Sequence, residues 1–233
     1  MIKRRLLGQH FLHSKSIATK IISEANISKN DVVLEVGTGK GILTPLLCEK
    51  AGQVISIESD KQLYDLAKKN LSNLSNLKIL HGDGFKFNGN FSIFVSNLPY
   101  SKSKTAIEWL AQQKFSHGII MVQKEFAQKL LAEKKLRRAI TIIANYSFDI
   151  EKISSVNSKN FTPPPTVDSI ILKITHKQKL SKNIIQTINK IFSYRRKKLA
   201  NIFEQFGKTT TRQERLDELT GDEIIEIAKK LHK

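Results

Sequence analysis

Short apolar runs alternate with helix-forming segments over residues 31–130, and this alternation constrains the fold more than any other feature of the chain. Strand–helix repeats form a mostly parallel sheet through right-handed crossovers, with helices on both faces. The runs predict strands at Val32–Val36, Gln53–Ile57, Leu77–Leu80, Phe91–Val95 and Gly118–Val122, and helices over 42–50, 61–71 and from about residue 124. The sequence therefore predicts a doubly wound α/β fold.

A late strand and a helical region follow these repeats. Ser169–Ile174 is rich in β-branched residues and comes directly after a turn, so we expect this strand to pair antiparallel. After His176, apolar residues recur at helical spacing. We therefore predict an α/β domain over residues 1–176 and a small helical domain over 177–233.

The turn after the first predicted strand is rich in glycine, with Gly37 and Gly39 in the run Glu35–Gly41. Glycine allows a tight turn here and lets a ligand approach the main chain closely. The loop lacks the Gly-Lys-Ser/Thr ending of a phosphate-binding loop and the sixth-position glycine of the dinucleotide-binding form. A nucleoside without a pyrophosphate therefore fits better, although a plain strand–helix turn is the alternative.

Two acids further along the chain support a nucleoside ligand. Glu58 ends the second predicted strand, 21 residues after Gly37, where a carboxylate can accept hydrogen bonds from both ribose hydroxyls. Asp83 follows the third predicted strand, in a position that could receive the adenine amino group. S-adenosylmethionine is a nucleoside of this kind, and we predict it as the cofactor.

The tetrapeptide Asn97-Leu98-Pro99-Tyr100 follows the fourth predicted strand, at the edge where open α/β sheets bind ligands. The exocyclic amine of adenine is a poor nucleophile, because its lone pair is delocalised into the ring. The Asn97 side-chain oxygen and the Leu98 carbonyl can accept its N–H bonds and offset the positive charge that develops during methyl transfer. Tyr100 can stack on the base. An ordinary proline turn is the alternative.

Composition points to an anionic partner. The chain has 39 Lys and Arg against 21 Asp and Glu, a formal net charge of +18, with the surplus in residues 1–30, 102–140 and 177–233. This distribution favours a nucleic acid, and a solubilising surface is the alternative.

A single cysteine, Cys48, excludes an internal disulfide and a Cys-based structural zinc cluster, and we predict no metal site. Without a membrane-length apolar run or a secretory h-region, we predict a cytoplasmic protein with no membrane partner.

Six motifs in order resemble the ribosomal RNA adenine N6,N6-dimethyltransferase family, which acts on small-subunit rRNA. They are Leu7–Leu12, Glu35–Gly41, Asn97–Tyr100, Gln123–Glu125, Asn160–Ser169 and Phe192–Leu199. The resemblance implies a Rossmann-like class I methyltransferase that dimethylates N6 of two adjacent adenosines in the 3′-terminal hairpin of 16S rRNA, with a role in ribosome biogenesis. His10, where many relatives have asparagine, is closer to archaeal and eukaryotic members.

The resemblance also implies roles for individual residues. His10 and Leu12 should line the cofactor site through a segment that closes over it, with Gly37 against the methionine part. Phe161 should stack on the target adenine opposite Tyr100, although it could simply anchor its turn. The basic residues that should contact RNA phosphates are Arg195, Arg196, Lys197 and Lys198. The implied partner is small-subunit rRNA or a pre-ribosomal particle. The net charge of +18 favours a monomer.

Three alternatives stay open at this point. An antibiotic-resistance methyltransferase acting on large-subunit rRNA would share nearly every motif. A DNA or protein amide methyltransferase would more usually have proline in place of Leu98. A non-catalytic RNA-binding assembly factor could keep the fold, although the cofactor acids and the tetrapeptide are intact here. The compact stretch 133–138 and the small C-terminal region depart from many relatives, which affects expectations about RNA docking.

Overall fold

A computed structural model describes residues 10–132 and 138–232, and its centre is a seven-stranded sheet. The strands are β1 Phe11–Leu12, β2 Val32–Val36, β3 Gln53–Glu58, β4 Leu77–His81, β5 Ile93–Asn97, β6 His117–Gln123, β7 Phe148–Val156, β8 Phe161–Thr162 and β9 Ser169–His176. The helices are α1 Lys15–Glu24, α2 Thr44–Lys50, α3 Lys61–Asn70, α4 Ser103–Leu110, α5 Lys124–Leu130, α6 Ala139–Ser147, α7 Lys182–Ser193, α8 Leu199–Glu204 and α9 Gly221–His232.

The sheet has the strand order β4-β3-β2-β5-β6-β9-β7. Strands β2 to β6 pair parallel, as the strand–helix alternation predicts. Strand β9 pairs antiparallel with β6, which confirms the expectation for the late strand. Strand β7 has no counterpart among the predicted strands. Its residues alternate irregularly between buried and exposed because it lies at the end of the sheet, so it lacks a continuous apolar run.

One face of the sheet packs against α1 and α2 in an apolar core. The buried members of this core are Leu12, Ala18, Ile21, Ile22, Ala25, Val33, Leu43, Leu47, Cys48, Ala51, Val54, Ile93, Val95, Ile119, Met121, Val156, Phe161 and Ile171. The strands of a parallel sheet are buried on both faces, which explains why they are continuous apolar runs in the sequence. Ser14 caps the N-terminus of α1 and Asp60 caps that of α3, because their side chains accept hydrogen bonds from first-turn amides.

Contacts between residues divide the chain into two compact units. Among the described residues, the first contains 10–106, 114–127 and 150–176. The second contains 107–113, 128–132, 138–149 and 177–232. Within the second unit, α6, α7 and α9 pack against one another, and α7 and α9 coincide with the helices expected from the apolar spacing after His176. Parts of the predicted α/β range, 107–113, 128–132 and 138–149, thus cluster with the C-terminal helices.

Some sequence predictions fall outside the described residues. These are the first three residues of the Leu7–Leu12 motif and most of the basic stretch 133–138. Within 10–132 and 138–232, no helix combines the length and apolar character needed to cross a bilayer. In the same ranges, no group of three or more His, Cys, Asp or Glu side chains is placed to hold a metal ion.

Candidate active site

A cavity of about 390 Å³ opens at the carboxyl ends of four adjacent strands in the first unit. Each strand contributes a residue that the sequence singles out: Gly37 after β2, Glu58 at the end of β3, Asp83 after β4, and Asn97 at the end of β5. The strand order reverses at β2, which has β3 on one side and β5 on the other. Open α/β sheets bind ligands at such a point. The topology therefore explains why residues far apart in sequence line one cavity.

The glycine loop forms part of the wall of this cavity. Gly37 has φ 90° and Gly39 has φ 57°, in the left-handed region that other residues rarely adopt. The Gly37 amide donates to the Ile57 carbonyl at 2.8 Å, which ties the loop to β3. A Cβ at Gly37 would meet no atom within 4 Å. The backbone conformation, and not crowding, requires glycine there, and the space beside Gly37 is open to a ligand.

Glu58 is a buried carboxylate at the cavity wall, only 3% exposed. Its Oε2 accepts a hydrogen bond from the Gly39 amide at 2.9 Å, and its Oε1 accepts one from the Asp60 amide at 2.9 Å. These two bonds compensate the burial of its charge and fix its orientation. Each carboxylate oxygen has a second lone pair, so Glu58 can accept two further hydrogen bonds from a ligand.

Asp83 is more exposed and also lines the cavity. Its Oδ1 accepts a hydrogen bond from the Phe85 amide at 3.0 Å and so begins a short 3₁₀ turn. Within the described chain, Oδ2 receives no hydrogen bond. The position predicted to meet the adenine amino group therefore has an acceptor available.

Beside the glycine loop lies a second buried acid, Glu35, which was not predicted as a site residue. It is 1% exposed and accepts hydrogen bonds from Thr44 Oγ1 at 2.8 Å and Ser56 Oγ at 2.6 Å. Ser56 is also hydrogen-bonded to Thr38 of the loop at 2.6 Å. Burial raises the pKa of Glu35 to about 7. A lone acid in the otherwise apolar run Val32–Val36 was the available signal.

Glu35 should make the stability of the protein fall as the pH rises from 4.5 to about 7. Its folded-state pKa of about 7 lies above its ordinary value of 4.5, so the folded protein holds this proton more tightly than the unfolded chain. The resulting stabilisation is complete below pH 4.5 and is lost as the pH rises to 7. For the Glu35→Gln variant we therefore expect the wild-type free energy of unfolding to fall relative to the variant by about 3 kcal/mol across this interval.

Denaturant unfolding of both proteins at several pH values in this interval measures the difference. Lost packing or hydrogen bonding in Glu35→Gln gives an offset that does not depend on pH, and all other groups titrate in both proteins. A difference that stays constant from pH 4.5 to 7 would show that folding does not raise the pKa of Glu35.

The Asn97–Tyr100 turn is held in one conformation by main-chain and side-chain bonds. Asn97 Nδ2 donates to the His10 carbonyl at 3.3 Å, and the Leu98 amide donates to the Met121 carbonyl at 3.2 Å. Neither Asn97 Oδ1 nor the Leu98 carbonyl receives a hydrogen bond from the described residues. The Tyr100 hydroxyl is 2.8 Å from Ser169 Oγ, and burial raises the pKa of Tyr100. All four residues of the turn line the cavity.

Residues 10–13 form a strap that lies beside this turn. The His10 Nδ1–H donates to the Pro163 carbonyl at 2.8 Å, and the His10 ring centroid is 5.1 Å from that of Tyr100. Strand β1 within the strap pairs antiparallel with β8, and the His13 amide donates to the Asn160 carbonyl at 3.0 Å. The strap also reaches the glycine loop, where the Phe11 ring would lie 3.5 Å from a Cβ on Gly39.

Two predicted site residues lie away from the cavity. Leu12 is 4% exposed and Phe161 is 2% exposed, and both belong to the apolar core. They face each other in the register of β1 and β8. His10 and Phe11 line the cavity instead. In this conformation the Phe161 ring packs inside the protein, so a base could stack on it only after the β1–β8 pair moves.

The basic residues Arg195, Arg196, Lys197 and Lys198 are exposed on the connection between α7 and α8, in the second unit. The first three border a cavity of about 440 Å³ formed by residues 192–197. Lys197 Nζ lies 5.3 Å from the centre of the Tyr194 ring. Positive charge and an aromatic ring thus share one concave surface, which is a combination suited to RNA.

Comparisons with known proteins agree with this geometry. The sequence matches the ribosomal RNA adenine dimethylase family over residues 2–231. It is 35% identical over 176 residues to an rRNA adenine N-6-methyltransferase of Bacillus licheniformis, a match that covers 73% of this chain and 61% of that protein. It is 31% identical over 242 residues to ribosomal RNA small subunit methyltransferase A of Thermotoga petrophila, covering 97% of this chain and 91% of that protein.

A solved structure is similar over nearly the whole chain. The crystal structure of a dimethyladenosine transferase from Plasmodium falciparum has a TM-score of 0.78 and 26% sequence identity, covering 94% of this chain and 96% of that chain. The chain therefore matches less than two thirds of the Bacillus protein but most of the length of the Thermotoga and Plasmodium proteins.

Proposed function

We propose that this chain, which belongs to the ribosomal RNA adenine dimethylase family, uses S-adenosylmethionine to dimethylate N6 of two adjacent adenosines in small-subunit rRNA. The target within that RNA is the 3′-terminal hairpin of 16S rRNA. One observation carries the proposal: Gly37, Glu58, Asp83 and Asn97 line a single cavity. A role in ribosome biogenesis, a cytoplasmic location and a monomeric state are parts of the same proposal.

The cavity fits a nucleoside cofactor along one wall. The open space beside Gly37 can take the methionine part, and Gly39 shapes the same loop. Glu58 has two acceptor positions left for the ribose hydroxyls, and Asp83 has a free oxygen for the adenine amino group. His10 borders the space next to Asn97. When bound, S-adenosylmethionine supplies a methyl group on a sulfonium, which is already activated for transfer.

The role of Asn97 in this reaction is to hold the target amine. Because Asn97 Nδ2 donates to the His10 carbonyl, Oδ1 is the side-chain atom available to accept a hydrogen bond from an N–H group of the adenine amine. The Leu98 carbonyl can accept the second N–H. Two acceptors favour a pyramidal nitrogen and offset its developing positive charge, so they are worth more in the transition state than in the ground state. The proton can leave to water afterwards, and no strong base is required.

Tyr100 supports the base from the side. Its hydroxyl is held by Ser169 and its ring is flanked by His10, so the ring presents a fixed surface to a base. Stacking on such a ring is worth roughly 1–3 kcal/mol. Phe161 can add to this surface only if the β1–β8 pair opens, which we propose for the RNA-bound state.

The rest of the RNA is bound by charge. We assign Arg195, Arg196, Lys197 and Lys198 to phosphate contacts, because all four are exposed and the loop that bears them is concave and includes an aromatic ring. A loop adenosine must leave its stack to enter the cavity, and these backbone contacts offset that cost.

The proposal of small-subunit rRNA is supported by a relative that is named for the small subunit. The match to this Thermotoga protein covers 97% of the present chain and 91% of the relative. The C-terminal region that carries the basic loop therefore has a counterpart in a small-subunit enzyme.

Nucleoside mass spectrometry tests the proposed function directly. Under-methylated small subunits are incubated with the protein and S-adenosylmethionine, with large subunits in parallel. We expect dimethyladenosine only in small-subunit rRNA, on two adjacent adenosines. Product in large-subunit rRNA alone would move the substrate to that subunit. Absence of product in both, with cofactor binding intact, would favour an RNA-binding role without catalysis.

A further inference from the structure

The charged groups around the active-site cavity are separated by sign. Three carboxylates, Glu58, Asp60 and Asp83, line it from the ends of β3 and β4. Lys102 is the only Lys or Arg among its lining residues in the part of the chain that the structure describes. It comes from the opposite side, after β5, and ends the 3₁₀ turn Tyr100–Lys102.

Lys102 is exposed and its ammonium group has no ion pair or hydrogen bond with any described residue. Its main chain, in contrast, is fixed, because the Lys102 amide donates to the Pro99 carbonyl at 2.8 Å. Helix α4 begins at the next residue and has no acid in its first turn. The first turn of a helix is the positive end of its dipole, so the surroundings of Lys102 also favour an anion.

Two anions could reach this ammonium: a phosphate of the RNA or the carboxylate of the cofactor. The space proposed for the cofactor lies along Gly37, Glu58 and Asp83, on the other side of the cavity. Tyr100, on which the target base is proposed to stack, lies in the same turn as Lys102. A base that enters the cavity and stacks on Tyr100 leaves its sugar and phosphates at the opening, where Lys102 is exposed. The RNA phosphate is therefore the better match.

We propose that Lys102 binds a backbone phosphate next to the target adenosine and thereby positions the adenine for methyl transfer. The inference rests on the proposed rRNA methylation. Lys102 acts as a positioning residue: it touches the substrate backbone and not the reacting atoms. It would add an RNA contact at the active site itself, separate in sequence from the basic loop at 195–198.

Steady-state kinetics of Lys102→Gln and Lys102→Arg, over a series of salt concentrations, test this role. Lys50→Gln is the matched control, since it removes the same charge at the exposed C-terminal end of α2, away from the cavity-lining residues. For Lys102→Gln we expect kcat/KM for the RNA to fall about tenfold, and the slope of its logarithm against the logarithm of salt concentration to fall by about 0.7, the value for one contact to single-stranded nucleic acid. Lys102→Arg should recover most of the activity, because it keeps the charge.

Calorimetry with S-adenosylmethionine alone distinguishes the RNA phosphate from the cofactor carboxylate as the partner of Lys102. Unchanged cofactor affinity in Lys102→Gln supports the phosphate contact, whereas an affinity loss equal to the kinetic loss would assign Lys102 to the cofactor carboxylate and overturn the proposal. The proposal would also be overturned if the dependence of kcat/KM on salt concentration were the same for Lys102→Gln and the wild-type protein. If the wild-type protein methylates no rRNA, the proposed function itself fails, and that result is distinct from any effect of Lys102.

Discussion

Replacement of Asn97 by alanine is expected to lower kcat for methyl transfer about 10²–10³-fold, the usual effect of removing one aligned hydrogen-bonding group from a transition state. Asn97 Oδ1 is the side-chain acceptor available to the target amine, and its partner Nδ2 is already held by His10. The side chain is partly exposed at a cavity wall and is not part of the apolar core, so Tm should change little. Single-turnover methylation with saturating cofactor and RNA measures the effect on the chemical step.

Two further variants make this result specific. Asn97→Asp keeps an oxygen acceptor but places a second oxygen against the His10 carbonyl, so we expect it to be impaired although its size is the same. Asn70→Ala, at the exposed end of α3, should have wild-type kcat. Wild-type turnover by Asn97→Ala would remove Asn97 from the reaction and leave the Leu98 carbonyl as the remaining candidate acceptor.

The parallel part of the fold could be predicted from sequence because buried strands are continuous apolar runs. Strands β2, β3 and β6 combine such runs with a following helix, which is a local signal. Strand β7 carries Asp149, Glu151 and Lys152 at the end of the sheet and has no such run. Strands β1 and β8 contain two residues each and pair across about 150 positions of the chain. Periodicity cannot indicate a pairing of that kind.

The same distinction between local and distant contacts applies to the site. Glu58, Asp83 and Asn97 could be placed in advance because each ends or follows a strand, and parallel strands bring their carboxyl ends to one edge. The contacts of His10 with Asn97, Tyr100 and Pro163 depend on the path of the strap and were not predicted. The burial of Phe161 likewise follows from its pairing with β1, which the run of prolines after it does not reveal.

Replacement of Glu58 by alanine should weaken the binding of S-adenosylmethionine about 100-fold. Hydrogen bonds to a charged group are worth about 1.5–3 kcal/mol each, so the loss of two bonds to the ribose at the lower value costs about 3 kcal/mol. Isothermal titration calorimetry in the absence of RNA gives the dissociation constant without any contribution from catalysis. Glu49→Ala removes an exposed acid from α2 and should bind the cofactor as wild type does.

Glu58 also accepts hydrogen bonds from the amides of Gly39 and Asp60, so it supports the glycine loop. A thermodynamic cycle that combines the Glu58 variant with a cofactor analogue distinguishes this support from contact with the ribose. Removing the ribose 2′-hydroxyl from S-adenosylhomocysteine should weaken its binding to the wild-type protein and have much less effect on Glu58→Ala. If removal of the 2′-hydroxyl lowers the binding affinity by the same factor for both proteins, Glu58 does not bond that hydroxyl. The weaker cofactor binding of the variant then comes from a displaced loop. Glu58→Gln refines the comparison, because it keeps the size of the side chain and an acceptor oxygen for one of the two amides, but removes the charge and replaces the second acceptor with an NH₂ donor.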